Sequence, residues 1–361
     1  MCENRFTGTF LRKKLRFLYI IKSFLFKGVK YEKITTIMLF ALLAISAFTG
    51  CSKKEAKKGQ RTVNIAIQPS AAFMPLYLCR EKGWIEEALA SSQVTVKWND
   101  FESGPPINES LAAGLSDIGT NGDVPTVSAI AAGQKVTIVG VPGNGPDAYA
   151  MLAKADNNTM NSDADMKGKK IATVIGSTGH NLIKKLLSKN GLTFDDIELI
   201  NIAAGDAGIV LSTGQVDAVV IWEPNVTRLV DNGTAKIIAK GSDTNLRGTN
   251  TFLARDEYIK ANPDVISVIL EQFTRAVKEL PTTDAETLQK VADDLKLTPE
   301  QVLRLYKKYG FAVQCDAVDT AALQDTCSFL VSIGRLESEY QVKDYVDNSY
   351  FNNSKAKNYL K

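Results

Sequence analysis

Three short segments place glycine and small hydroxyl or amide residues at the mouth of a predicted helix. They are Phe101-Glu102-Ser103-Gly104-Pro105-Pro106, Asn121-Gly122-Asp123-Val124-Pro125 and Gly176-Ser177-Thr178-Gly179-His180. The first turn of a helix exposes unpaired N–H groups and a partial positive charge, which suits the oxygens of a small anion. Glycine lets the backbone come close, and Ser and Thr hydroxyls add donors. None of the three segments contains Lys or Arg, so the expected recognition is by neutral donors. Ser103 and Ser177 have a second reading as plain N-caps, the commonest role of serine ahead of a helix.

Other residues join these as candidate contacts. Ser70 and Phe73 lie in the first loop, and Gly104, Asn121, Thr178 and His180 lie within the three segments. Asp123 reads as a cap or hinge residue, or as a partner for an ammonium group on the ligand. Trp222 ends an apolar strand and would wall an apolar part of the ligand or pack between lobes. Glu223 would repel an anion, so it is expected to bind a hinge, a partner residue or a cationic ligand end. His180 is the only histidine, so no metal site or catalytic triad can be built from several histidines. No CxxC pair or Cys/His cluster is present, and no metal or cofactor is expected.

These segments need a scaffold, and the chain alternates strand and helix signals from Thr62 onward. Strands are expected over 63–67, 94–98, 117–119 and 136–141, then again over 169–174, 197–201, 218–221 and 235–239. One helix is expected to hold Leu76, Tyr77, Trp84 and Ile85. Others cover 105–114, 124–132 and 177–190. In an open α/β sheet, ligands collect at the carboxyl ends of strands, where the three segments fall. From Asn262 the pattern is helical. Asn262 can cap and Pro263 suits the first turn, while Val265, Ile269, Phe273, Ala276 and Leu280 share a face. Thr298-Pro299-Glu300-Gln301 has the form of a capping box.

The chain has 361 residues, 45% hydrophobic and 23% charged, which excludes a disordered chain, a collagen-like fibre and a polytopic membrane protein. Its net charge of +3 is uneven: residues 1–50 hold nine Lys/Arg against two Asp/Glu, so the rest is net acidic. A nucleic-acid partner is therefore not expected. Residues 38–48 form an apolar run of eleven behind Lys30 and Lys33, the parts of an export signal and too short for a membrane span. The following Thr49-Gly50-Cys51 resembles a bacterial lipobox, which would make Cys51 a lipidated first residue carrying a polar tether to residue 61. An uncleaved signal anchor is the other reading, and a later start near Val29 would remove residues 1–28. Cys79 is expected to be a buried small residue, and Cys315 with Cys327 a disulfide in an exported protein.

Taken in order, the three segments resemble the aliphatic sulfonate, taurine and nitrate group of ABC-transporter substrate-binding proteins. Leu111-Ala112-Ala113-Gly114, Asn190-Gly191-Leu192, Val216-Asp217-Ala218 and Trp222-Glu223-Pro224 extend the match across 62–255. The resemblance implies an α/β fold of the type II periplasmic-binding class: two α/β lobes joined by two crossover strands, with the ligand between them. Lobe one would span 62–148 plus 253–361 and lobe two 149–252, with crossings near 148–152 and 248–253. It further implies a monomeric, lipid-anchored or periplasmic receptor that delivers a small anionic solute to an ABC permease and its ATPase. An enzyme on the same fold, a pyrimidine-precursor synthase or a desulfinase, is the alternative. The single histidine weighs against the first and the absence of an evidently activated cysteine against the second. A sensory or adhesive surface lipoprotein is a third possibility.

Overall fold

The computed structural model describes residues 61–359. The leader, Cys51 and the tether up to residue 60 lie outside them. Ten strands follow in order: β1 (Arg61–Ile67), β2 (Val94–Asp100), β3 (Ile118–Gly122), β4 (Val136–Gly140), β5 (Tyr149–Lys154), β6 (Lys170–Thr173), β7 (Glu198–Asn201), β8 (Ala218–Trp222), β9 (Ala235–Lys240) and β10 (Asn250–Arg255). They form two five-stranded sheets, ordered β2-β1-β3-β10-β4 and β7-β6-β8-β5-β9. Within each sheet one strand runs against its neighbours, β10 between β3 and β4, and β5 between β8 and β9. Each of these is the strand entered after the chain crosses from the other sheet, through residues 141–148 and 241–249. The two stretches expected as crossings thus contain the starts of β5 and β10.

Strands buried on both faces read as continuous apolar runs, and β8, with the sequence AVVIW, is buried throughout. Its neighbours β6 and β5 fix its register through Ile171 opposite Ala218 and Tyr149 opposite Trp222. Helices cover the sheets. The helix Pro263–Glu279 buries Val265, Ile269, Phe273 and Ala276, and Phe273 meets Phe252 edge-on at 5.0 Å. Trp84 carries the Arg275 guanidinium over its ring at 3.7 Å, closing the outer side of this packing.

The structure corrects several local expectations. The first helix is two, Met74–Lys82 and Trp84–Ala90, because Gly83 adopts φ +63° between them. Asn262 does not cap; its amide donates to the Tyr258 carbonyl and its oxygen accepts from Arg61. The capping box at Thr298 and Gln301 is present. Cys79 is buried and donates to the Gln272 carbonyl.

The expected disulfide does not form: Cys315 and Cys327 are both buried free thiols. Cys315 lies just ahead of the helix Ala317–Ser332 and Cys327 is three turns into it. At 1.5 Å rise per residue the two Cα atoms are roughly 15 Å apart, beyond the ~7 Å a disulfide can bridge. Cys315 contacts the Thr320 hydroxyl and Cys327 faces the Tyr340 carbonyl. Denaturing the protein without reductant should leave both cysteines open to alkylation. A non-reduced peptide pair joining them in mass spectrometry would contradict the packing of this helix.

Candidate functional site

Between the two sheets lies a small cavity lined by Gln68, Ser70, Gly104, Gly122, Pro125, Tyr149, Ser177, Thr178, Trp222 and Asn250. They lie at strand ends, in the turns that follow them, or in the first turn of the next helix. None of these residues carries a charge. The space open to the centre of a water-sized molecule is about 20 Å³, room for one or two such groups, so the lobes are closed on each other. Gly122 marks how closely: a Cβ added there would meet Thr178 Oγ1 at 2.5 Å. Any larger residue would hold the lobes apart.

The helix Thr178–Lys189 brings the densest set of donors. His180 and Asn181 turn their amides back onto the Ser177 carbonyl, leaving those of Thr178 and Gly179 at the open helix end. The Ser177 side chain makes no capping bond, and its buried hydroxyl has no hydrogen-bond partner. Such a group is costly to bury unpaired unless something else in the site uses it. Facing it from the first lobe, Gln68 donates to the Thr120 carbonyl and Ser70 accepts from the Ala72 amide. The Tyr149 hydroxyl reaches Asn250 Oδ1 at 3.4 Å, joining the first residues of β5 and β10.

The remaining candidates are elsewhere. Ser103 starts the helix Gly104–Ala112 without a capping bond, but lines an outer groove. Pro105 and Pro106 have no N–H, which leaves that helix end with fewer donors than its position suggests. Phe73 is fully buried in the core. Asn121 lies behind Gly104, donating to Asn108 Oδ1. His180 is packed between Phe194 at 5.1 Å and Phe329 at 5.4 Å, and its Nδ1 accepts from the Gly176 amide.

Both candidate carboxylates are already engaged. Asp123 accepts from the Val124 amide at 2.7 Å, from Thr178 Oγ1 across the lobe boundary at 2.5 Å, and from Thr326 Oγ1 at 2.9 Å. Burial pushes its carboxyl up from the usual range, against the pull of these three donors. Glu223, fully buried, accepts from the Thr227 amide and hydroxyl and pairs with Lys308 of the first lobe at 2.7 Å. Neither is left to meet a ligand ammonium. The sequence reading missed Gln68, Tyr149 and Asn250, and named Gly122 and Pro125 only as members of a segment. Gln68 could have been found from its place at the end of a strand, one residue before Pro69-Ser70.

Among the described residues, no group of three His, Cys, Asp or Glu could hold a metal, and no helix is long and apolar enough to cross a membrane.

Comparison with known proteins adds to this geometry. Residues 70–282 match the family described as NMT1/THI5 like. A "Putative aliphatic sulfonates-binding protein" of Bacillus subtilis (strain 168) is 31% identical over 320 residues, covering 87% of this chain and 94% of the relative. The alkanesulfonate-binding protein SsuA from Xanthomonas axonopodis pv. citri, solved bound to MOPS, superposes with a TM-score of 0.71. It is 28% identical and covers 79% of this chain and 98% of its own. The periplasmic aliphatic sulphonate binding protein SsuA from Escherichia coli gives 0.69 at 25% identity, covering 80% and 92%. The two-lobed architecture is thus a periplasmic-binding-protein-like fold.

The packing of His180 has a measurable consequence. Burial, with a smaller contribution from Arg335, lowers its pKa from 6.5 to about 4. The unfolded chain therefore binds the proton more readily, and stability is lost as pH falls from about 6.5 towards 4. Between pH 7 and pH 5 this group should remove about 2 kcal/mol. Urea unfolding at the two pH values should show that His180→Phe abolishes this part of the loss. An unchanged difference in the variant would contradict a neutral, buried imidazole.

Proposed function

The chain belongs to the NMT1/THI5-like family, and from that premise we propose that it is an extracytoplasmic solute receptor binding a small sulfonate-type anion between its lobes. The observation that carries this reading is the buried, unpartnered Ser177 hydroxyl beside the open amides of Thr178 and Gly179, in a cavity lined only by uncharged residues. Several neutral donors aimed at one point can hold an anion, and the helix end adds favourable potential. Asp123 and Glu223 have their negative charge met by internal donors and by Lys308, so the cavity is not hostile to an anion. The relatives' names support a sulfonate above nitrate or taurine.

An anion enters when the lobes part, which breaks the Thr178–Asp123 hydrogen bond. The receptor would hand its load to an ABC permease and ATPase, working as a monomer held at the membrane through a lipid on Cys51. A thiol-based enzyme on this fold is disfavoured. Cys79 is buried against the Gln272 carbonyl, and burial drives its thiol far above the ordinary range, away from the reactive thiolate.

Calorimetric titration of methanesulfonate into the wild type and Ser177→Ala tests the reading. Losing one hydroxyl donor to a charged group costs roughly 1–3 kcal/mol, a ~5- to 150-fold weaker Kd. The melting temperature should barely change, because the side chain makes no capping bond. Affinity unaltered with a lowered melting temperature would make Ser177 a structural cap and misplace the site.

A further inference from the structure

We propose a second ligand site, apart from the central cavity, that takes a small carboxylate with a hydroxyl on the neighbouring carbon. It lies where the helix Thr178–Lys189 of the second lobe faces the C-terminal helix Ala317–Ser332. Segment 243–245 closes its side. The space is about 520 Å³, against about 20 Å³ for the central cavity in the same measure. The two share no lining residue, and the second site does not depend on what the first one binds.

Its chemistry starts from Asn181. Asn181, Lys184, Lys185, Ser188 and Lys189 line the space at steps of three and four, so they form one face of their helix. Asn181 is the inner end of that face, 1% exposed, while Ser188 and Lys189 are exposed. Neither the nitrogen nor the oxygen of its side-chain amide has a hydrogen-bond partner among the described residues. Leaving both unpaired is costly, and native interiors rarely do so. One turn on, Lys184 is half-buried and has no ion pair or hydrogen bond among the described residues. The other charges on these walls are engaged: Lys185 with Asp325, Lys189 with Asp163, and Asp243 with the Lys240 amide. What is unmet is one cation, one amide donor and one amide acceptor.

A carboxylate answers the first two, because Lys184 supplies the charge and Asn181 Nδ2 donates. Asn181 Oδ1 then needs a donor beside the carboxylate. A hydroxyl on the neighbouring carbon provides it. A sulfonate or a plain fatty acid offers only acceptors and leaves Oδ1 unpaired. An α-amino acid would bring its ammonium against Lys184 and Lys185, which disfavours it.

Titration calorimetry with lactate, and with propionate as the analogue lacking the hydroxyl, tests the site. Lactate should bind, and propionate should bind about two- to twelvefold more weakly. Asn181→Leu and Lys184→Met should each weaken lactate roughly 10- to 150-fold, the loss of a hydrogen bond to a charged group. Asn181→Leu should melt no lower than the wild type, because leucine removes the unpaired polar atoms at similar volume. Ser177→Ala should leave lactate affinity unchanged, since Ser177 lines the central cavity alone. No lactate binding by the wild type, or equal binding in Asn181→Leu and Lys184→Met, would overturn the proposal. Equal affinity for propionate would remove the hydroxyl from the ligand class and overturn it as stated. Loss of lactate in Ser177→Ala would put that ligand in the central cavity and overturn it too.

Discussion

One buried carboxylate holds the two lobes in register. Asp123 begins a helix of the first lobe and gathers donors from three directions: its own helix start, the Thr178 hydroxyl of the second lobe, and Thr326 of the C-terminal helix. A buried charge is tolerated only when it is hydrogen-bonded, so each donor is held to its place by the cost of losing it. Because Thr178 is tied there, the start of its helix must lie against Gly122, where only glycine leaves room. The same tie fixes where Ser177 and the neighbouring amides point. The placing of this helix start against the first lobe thus follows from satisfying one carboxylate.

The site can then be neutral without being inert. Its negative charges are consumed in holding the lobes together, Asp123 with Thr178 and Thr326, Glu223 with Lys308. Its donors come from a helix end and from side chains on strand termini, the positions where this architecture leaves polar groups unpaired. Further ion pairs cross the boundary, Lys185 to Asp325 and Arg304 to Asp231, so the C-terminal helices act as a second set of ties. Exposed pairs of this kind contribute little each, and opening the lobes stays within reach of a ligand's differential affinity.

The alternation of apolar strands and glycine-terminated helices was legible from residue types, because both periodicities are local. So was the loop Gly176–Ser177–Thr178–Gly179, whose small residues after an apolar strand mark a helix end facing a cleft. What residue type could not supply was direction. His180 is two positions from Thr178 yet turns into an aromatic pocket, and Phe73 is three from Ser70 yet lies in the core. Asp123 and Glu223 were readable as polar residues near a cleft, while their partners at Thr326 and Lys308 are distant in sequence. Tyr149 and Asn250, a hundred residues apart, meet only because each opens the strand that follows a crossing. The cysteine pair misled for a related reason: Cys315 lies ahead of a helix and Cys327 three turns into it, so their twelve positions are a distance, not a contact.

The central claim is that an anion is held between the lobes by neutral donors from strand and helix ends. A crystal structure of the protein with methanesulfonate tests it most directly. The expected result has sulfonate oxygens at about 3 Å from Ser177 Oγ and the Thr178 and Gly179 amides, with no Lys or Arg side chain in contact. A sulfonate paired with a lysine or arginine, or bound away from this helix start, would contradict it.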